Sequence, residues 1–230
     1  MIFSFAAVGV TLIGGLAHGA YYRNSPVFGT VLSELPPDGK RVSLTFDDGP
    51  NPDATPRILD ALARQDVKAT FFILGAHAER WPELVHRVAA EGHQVANHGY
   101  FHRKLHFKSP GYVKRDIALG MRAIERAGAP APHFFRAPHG FRSPWVTSIA
   151  RSLGQRTIGW SLGVWDSDRP GVNAIVDRTL RGTRSGSIVL LHDGDGYNAN
   201  GDRLQTAAAI PGIVQGLRER GFDFVTLPSQ

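Results

Sequence analysis

From Lys40 onward, short apolar runs alternate with stretches whose apolar residues recur at helical spacing. Seven runs predict strands: RVSLTF (41–46), ATFFIL (69–74), HQVAN (93–97), HFFRA (133–137), RTIGW (156–160), SIVLL (187–191) and FDFVT (222–226). Each is short and rich in β-branched or aromatic residues. Helical patterns lie between them. The first starts at Thr55, a capping hydroxyl before Pro56, and runs to about Gln65 with Ile58, Leu59 and Leu62 on one face. Pro82 opens the second, which Gly92 ends, and Ser109 with Pro110 opens a third towards Ala127. Ser143–Pro144 to Leu153, Asn173 to Arg181 and Leu204 to Arg220 complete the set. Strands alternating with helices predict an α/β fold with a parallel sheet and right-handed crossovers, either an open sheet or a barrel.

The polar residues separate these two architectures. Asp47 and Asp48 follow the first strand, His98 the third, Asp166 the fifth and His192 the sixth, while Arg136 ends the fourth. All the candidate chemistry therefore falls at the C-terminal ends of strands. In a barrel those ends converge on one rim, whereas in an open sheet they spread along an edge. The expectation is a distorted (β/α) barrel of about seven parallel strands, preceded by an N-terminal apolar helix.

That helix is expected in residues 1–22, MIFSFAAVGVTLIGGLAHGAYY. Ile2 to about Ala20 approaches the length of a membrane span, and the small residues around Gly15, Leu16 and Ala17 would suit a signal peptidase. No Lys or Arg precedes the run, and Arg23, Lys40 and Arg41 follow it, so charge sets no orientation. We expect a membrane anchor or signal and a cell-envelope location, anchored or secreted. Residues 23–39 are expected to be a linker, and residues 40–230 one domain able to hold a full core. The absence of cysteine excludes thiolate chemistry, zinc–sulfur sites and disulfides. The 26 Lys and Arg outnumber the 20 Asp and Glu by six without forming a basic block, so no nucleic-acid partner is expected. The chain is expected to act as a monomer.

Adjacent like charges repel, so Asp47 and Asp48 need a reason to stand together. Alone, before Gly49 and Pro50, they read as a simple acidic turn. NHGYFH (97–102) suggests more. His98 and His102 have the spacing that puts two imidazoles on one face of a helical turn. Two imidazoles and a carboxylate make a divalent-metal site with open positions, and Asp48 is the natural carboxylate. A dication there offsets the repulsion and leaves Asp47 free to act as a base. Arg136, in RAPHG, is placed to hold that base. The backbone N–H of His139 is a candidate donor to an oxyanion, its side chain being incidental. His192 is a candidate proton donor, oriented by Asp166 or by Asp168. Leu190 faces the same side of its strand as His192, as pocket lining or as ordinary core.

TFDDGP, HxxxH, RAPHG, WSLGVWDSDRPG and LLHDG occur in the order and spacing of the polysaccharide deacetylases, the family 4 carbohydrate esterases. The chain resembles this family, which includes the rhizobial chitooligosaccharide deacetylases, from about Lys40 to Pro228. The resemblance implies a distorted barrel of seven strands and metal-dependent removal of N-acetyl, sometimes O-acetyl, groups from sugars. The expected dication is zinc, with cobalt or another as alternatives. It implies Asp47 as general base, Asp48, His98 and His102 as metal ligands, and Arg136 as the tether of the base. His192 becomes the general acid paired with Asp166, while His139, Leu190 and Trp165 line the sugar and acetyl pocket. The sequence departs from the pattern three times. Gly99 stands where Ser or Thr is usual, His139 replaces a tyrosine, and Ser167 rather than tryptophan follows Asp166. Two rival readings are a deacylase that removes formyl from a lipid-linked envelope sugar and a catalytically silent carbohydrate-binding protein. The complete set of base, ligands and acid argues against the second.

Overall fold

The computed structural model describes residues 14–228. The start of the chain expected as an anchor or signal lies largely in residues 1–13, outside the described residues. No helix among the described residues is long and apolar enough to cross a membrane.

Among the described residues eight parallel strands form one sheet: β1 (Arg41–Asp47), β2 (Thr70–Ile73), β3 (Gln94–Asn97), β4 (Phe134–Phe135), β5 (Arg156–Thr157), β6 (Leu162–Gly163), β7 (Ser187–His192) and β8 (Asp223–Phe224). Their order is β5-β4-β3-β2-β1-β7-β6, with β8 beside the start of β1. The run expected as a single fifth strand, 156–160, is divided. β5 pairs with β4, and the chain bends through Gly159 and Trp160 before β6 pairs with β7. A side chain at Gly159 would strike Asn24 Oδ1, which its Cβ would approach to 2.3 Å, so the bend needs glycine. Together the two pieces wall the barrel between β4 and β7. The remaining lower gap is bridged by Leu32, which pairs with Ile158, and by Glu34, which pairs with Ser187. The expected distorted barrel is therefore what the chain forms.

Among the described residues, besides a helical stretch at 14–21, seven helices surround the sheet: α1 (Ala54–Arg64), α2 (Gly75–Arg80), α3 (Pro82–Ala90), α4 (Pro110–Arg126), α5 (Val146–Ser152), α6 (Val172–Gly182) and α7 (Leu204–Glu219). Only α2 lay outside the sequence expectation. The main core joins α1, α6 and α7 to the outer face of the sheet through Ile58, Leu62, Ile175, Ile210 and Val214 against Val42, Leu44 and Val189. Each such buried side chain contributes about 1.5–3 kcal/mol. A smaller cluster fills the barrel itself, including Leu35, Phe72, Ala96, Phe134 and Ile188.

Two local expectations resolve differently. Thr55 does not cap α1. Asn51 does, its Oδ1 accepting from the N–H groups of Asp53 (3.0 Å) and Ala54 (2.8 Å). The Thr55 hydroxyl instead donates to buried Asp193 Oδ2 at 2.6 Å and ties the helix to the end of β7. Residues 23–39, expected as a linker, are fastened along their length. Leu35 is in the barrel interior, Asn24 donates to the Trp160 carbonyl at 2.9 Å, and fully buried Arg142 donates to the Ser25 carbonyl at 2.6 Å.

Candidate active site

β1 delivers Asp47 and Asp48 to the rim. Asp47 ends the strand, paired in register with Phe72 of β2 and His192 of β7. Asp48 is the next residue and has a positive φ of 72°; its Oδ1 and Asp47 Oδ2 both approach His98 Nε2, at 3.3 and 3.7 Å. Asp47 Oδ1 accepts from Arg136 Nη1 at 2.6 Å. Asp48 Oδ1 lies 3.3 Å from His98 Nε2 and 3.0 Å from His102 Nε2. All four side chains, and that of Arg136, are buried.

The two histidines converge, although not through a helical turn. Residues 98–102 form a loop with φ of 80° at Gly99 and 52° at His102. The loop is held from below. Asn97 Oδ1 accepts from the Gly99 N–H at 2.9 Å, and Asp116 of α4 accepts from the N–H groups of Tyr100 (3.3 Å) and Phe101 (3.2 Å). Asp116 thus does what the missing Ser or Thr hydroxyl would do. A Cβ at position 99 would meet Asp116 Oδ2 at 2.5 Å, so glycine and aspartate belong together. Sequence reading missed Asp116 because the contact spans 16 positions.

This trio fits a divalent cation. The ligand atoms of Asp48, His98 and His102 all lie within 4.8 Å of one another. His98 Nδ1 is 2.9 Å from the Arg136 carbonyl, a contact that assigns its proton to Nδ1 and turns the Nε2 lone pair to Asp48. Asp48 Oδ1 is buried and has no hydrogen-bond donor among the described residues. Three acceptor atoms facing one another call for positive charge at their centre. In the protein alone the electrostatics says the same. Burial would raise the Asp48 pKa, but His102 and His98 outweigh it and hold the carboxyl well below its usual range. Burial opposes charge on His98, yet Asp47 and Asp48 raise its pKa.

Arg136 is an anchor on four sides. Besides Asp47, Nη1 donates to Thr45 Oγ1 at 2.9 Å and Nη2 to the Gly159 carbonyl at 2.8 Å, while the guanidinium lies 3.9 Å over the Phe72 ring. Across the sheet, His192 is held by Asp166. Its N–H donates to Asp166 Oδ2 at 2.8 Å and its Nδ1 to Oδ1 at 2.9 Å. Thr206 of α7, also missed in the sequence, donates to Oδ2 at 2.8 Å. Asp168 is exposed and Asp166 is buried, so Asp166 is the partner. Burial works against a charged His192, but Asp166 prevails and lifts its pKa to about 9.

Asp47, Asp48, His98, His102 and His192 line a cleft of about 540 Å³ shared with Leu190, Trp165 and His139. Trp165 is 68% exposed and stands at the rim. The His139 side chain is not incidental. Its ring lies 4.6 Å from that of His102, and its Nε2 is 2.8 Å from the Tyr197 hydroxyl. Burial and then neighbouring His102 lower its pKa to about 4, so it is neutral near pH 7.

Residues 34–158 match the family model for polysaccharide deacetylase. The chain is 44% identical over 193 residues to a chitooligosaccharide deacetylase of Sinorhizobium fredii (strain NBRC 101917 / NGR234), covering 81% of this chain and 90% of that protein. It is 38% identical over 204 residues to a peptidoglycan-N-acetylglucosamine deacetylase of Bacillus cereus, covering 86% of this chain and 92% of that one. The solved Bc1960 peptidoglycan N-acetylglucosamine deacetylase superposes with a TM-score of 0.81 at 34% identity, over 86% of this chain and 91% of that chain. A pseudoenzyme of carbohydrate esterase family 4 from Bacillus anthracis reaches 0.78 at 27% identity over 88% of this chain and 68% of that chain, so fold likeness alone does not decide activity. Sequence, fold and the arrangement of the rim agree, and the chain belongs to the polysaccharide deacetylase family.

Proposed function

We infer that this protein is a metal-dependent hydrolase that removes N-acetyl groups from an N-acetylglucosamine-containing glycan of the chitooligosaccharide or peptidoglycan type. One observation carries the reading: Asp48 Oδ1 meets both imidazoles, while Asp47 gives Oδ1 to the arginine and leaves Oδ2 3.7 Å from His98 Nε2. A divalent cation held by Asp48, His98 and His102, with zinc the first choice, supplies a Lewis acid for the acetamide carbonyl and for water. Asp47, held by Arg136, accepts a proton from the attacking water. The oxyanion that develops on the former carbonyl is within the family's pattern a partner for the His139 backbone N–H. His192, kept charged by Asp166, gives its proton to the departing sugar amine as the carbon–nitrogen bond breaks. Water contributes hydroxyl to acetate, and the products are acetate and a glucosamine unit. Leu190 and Trp165 line the cleft where the acetyl methyl and sugar would sit. The same reading puts the protein in the cell envelope, where such polymers lie, supported by the apolar start of the chain.

Release of acetate, or of formate from a formylated substrate, tests it. Metal-stripped protein is given zinc, cobalt or nothing, with chitooligosaccharides, peptidoglycan fragments, acetylated xylan and a formylated lipid-linked sugar as substrates. We expect release from the first two and only with metal. Release confined to the lipid-linked sugar, or full activity of Asp47→Asn, would sink the assignment.

A further inference from the structure

A file of aromatic rings leads away from the paired carboxylates along one side of the cleft. The His139 ring lies 5.9 Å from Phe141, which lies 5.4 Å from Tyr21 and 5.1 Å from His106. Tyr21 and His106 are 5.1 Å apart, and Phe107 follows at 4.2 Å from His106. Tyr21 and Phe141 line the same cleft as Asp47 and Asp48. Tyr21 is 51% and Phe107 80% exposed. Single exposed aromatics are ordinary, but a contiguous set running into a polar cleft marks a binding surface.

The ledge is also held in place by unusual means. Tyr21 precedes the segment that matches the family model, and its position depends on Arg142, one residue after Phe141. The Arg142 N–H donates to the Ala20 carbonyl at 3.1 Å, and its guanidinium donates to the Ser25 carbonyl at 2.6 Å. A fully buried guanidinium with no carboxylate partner among the described residues is costly in free energy. Here it pins residues 20–25 beside the rim. His18 stacks on Tyr22 at 4.9 Å, and Arg23 donates to the Trp160 carbonyl at 3.3 Å. The His106 ring is packed among these aromatics with its Nδ1 buried, and the Lys104 amine lies 5.7 Å over the Phe141 ring.

We propose that Tyr21, His106 and Phe141 form a further sugar subsite, which holds a ring of the glycan beyond the one that bears the reacting acetamide. A pyranose has a C–H face suited to an aromatic ring and a rim of hydroxyls suited to an amine or an imidazole nitrogen. Tyr21 and Phe141 offer the first and the Lys104 amine the second, continuous with the cleft. Its occupant is a β-linked N-acetylhexosamine chain long enough to reach from the metal ligands to Tyr21.

The subsite rests on the reading of the site as a glycan deacetylase, so binding and turnover are measured separately. Asp47→Asn protein supplied with zinc is titrated calorimetrically with N-acetylglucosamine oligomers of increasing length, with and without Tyr21→Ala. Affinity should rise with length and level off once the ledge is filled. Tyr21→Ala should weaken binding of long oligomers by about tenfold and leave the dimer unaffected, whereas Tyr21→Phe keeps the length step. Phe107→Ser, at the outer end, gives a smaller loss in the same direction. With Asp47 intact, Tyr21→Ala should raise KM for long oligomers at unchanged kcat. An equal loss at every length, or none at any, would overturn the subsite. If no oligomer ever releases acetate but the length step persists, the deacetylase reading fails and the subsite stands.

Discussion

A buried carboxylate beside an imidazole decides the pH at which that imidazole gives up its proton. Asp166 lifts His192 from 6.5 to about 9, so its stabilising charge is fully present below 6.5 and is lost as pH rises through about 9. The proposed acid therefore keeps its proton throughout the neutral range. Asp166→Asn leaves burial as the dominant influence, and the alkaline limb of kcat/KM should move to lower pH; a limb that stays in place removes Asp166 from the mechanism. Asp116 acts differently, on the loop that carries His98 and His102. Asp116→Ala removes the acceptor of two loop N–H groups, and zinc affinity should fall by about 10–100-fold in a competition titration. Restoring the family's usual residue, Gly99→Ser, should also weaken zinc binding here, because the new Cβ meets Asp116. The sequence made the candidate groups legible because the proposed chemistry is written in residue type and order. Asp116 and Thr206 were not, since neither belongs to a motif and each meets its partner across a distance the chain alone does not reveal.

Elements were legible where a period or a cap repeated. α4 begins at Pro110 with the expected Ser109 cap, whose Oγ accepts from Tyr112 N–H at 3.3 Å, and it ends within a residue of expectation. Shorter features escaped for a physical reason. β5 and β6 have two residues each, too few for alternation to register, and their break follows from a contact between Gly159 and residues far earlier in the chain. The HxxxH spacing suggested a helix, but left-handed backbone at Gly99 and His102 gives the same convergence from a loop. That loop and α4 form one packing unit. A Cβ on Gly120 would stand 2.3 Å from Asn97 Oδ1 and 2.8 Å from the Gly99 carbonyl, both of which shape the loop. Gly120→Ala should destabilise the fold by about 1–3 kcal/mol in urea denaturation and lower zinc affinity as well. A change in stability without a change in metal binding would uncouple the helix from the site.

At the scale of the whole molecule, a barrel was legible from where the polar residues fell, whereas its closure was not. Both ends of the described chain complete the lower part of the wall. Leu32 and Glu34 bridge one gap, and Asp223 and Phe224 pair with Arg41 and Val42 beside another. From there the N-terminal stretch climbs to the rim, while the C-terminal residues remain below. Residue 14 is separated from Tyr21 by about 10 Å of helix, and no slack intervenes because residues 20–25 are pinned by Arg142 and Trp160. A bulky folded fusion placed ahead of residue 14 should therefore reduce turnover of long glycans several-fold more than the same fusion after residue 228, with short oligomers spared; equal effects would contradict this geometry. Anything attached just ahead of residue 14 would stand beside the incoming polymer, so attachment at that point and access to the cleft are one design problem rather than two.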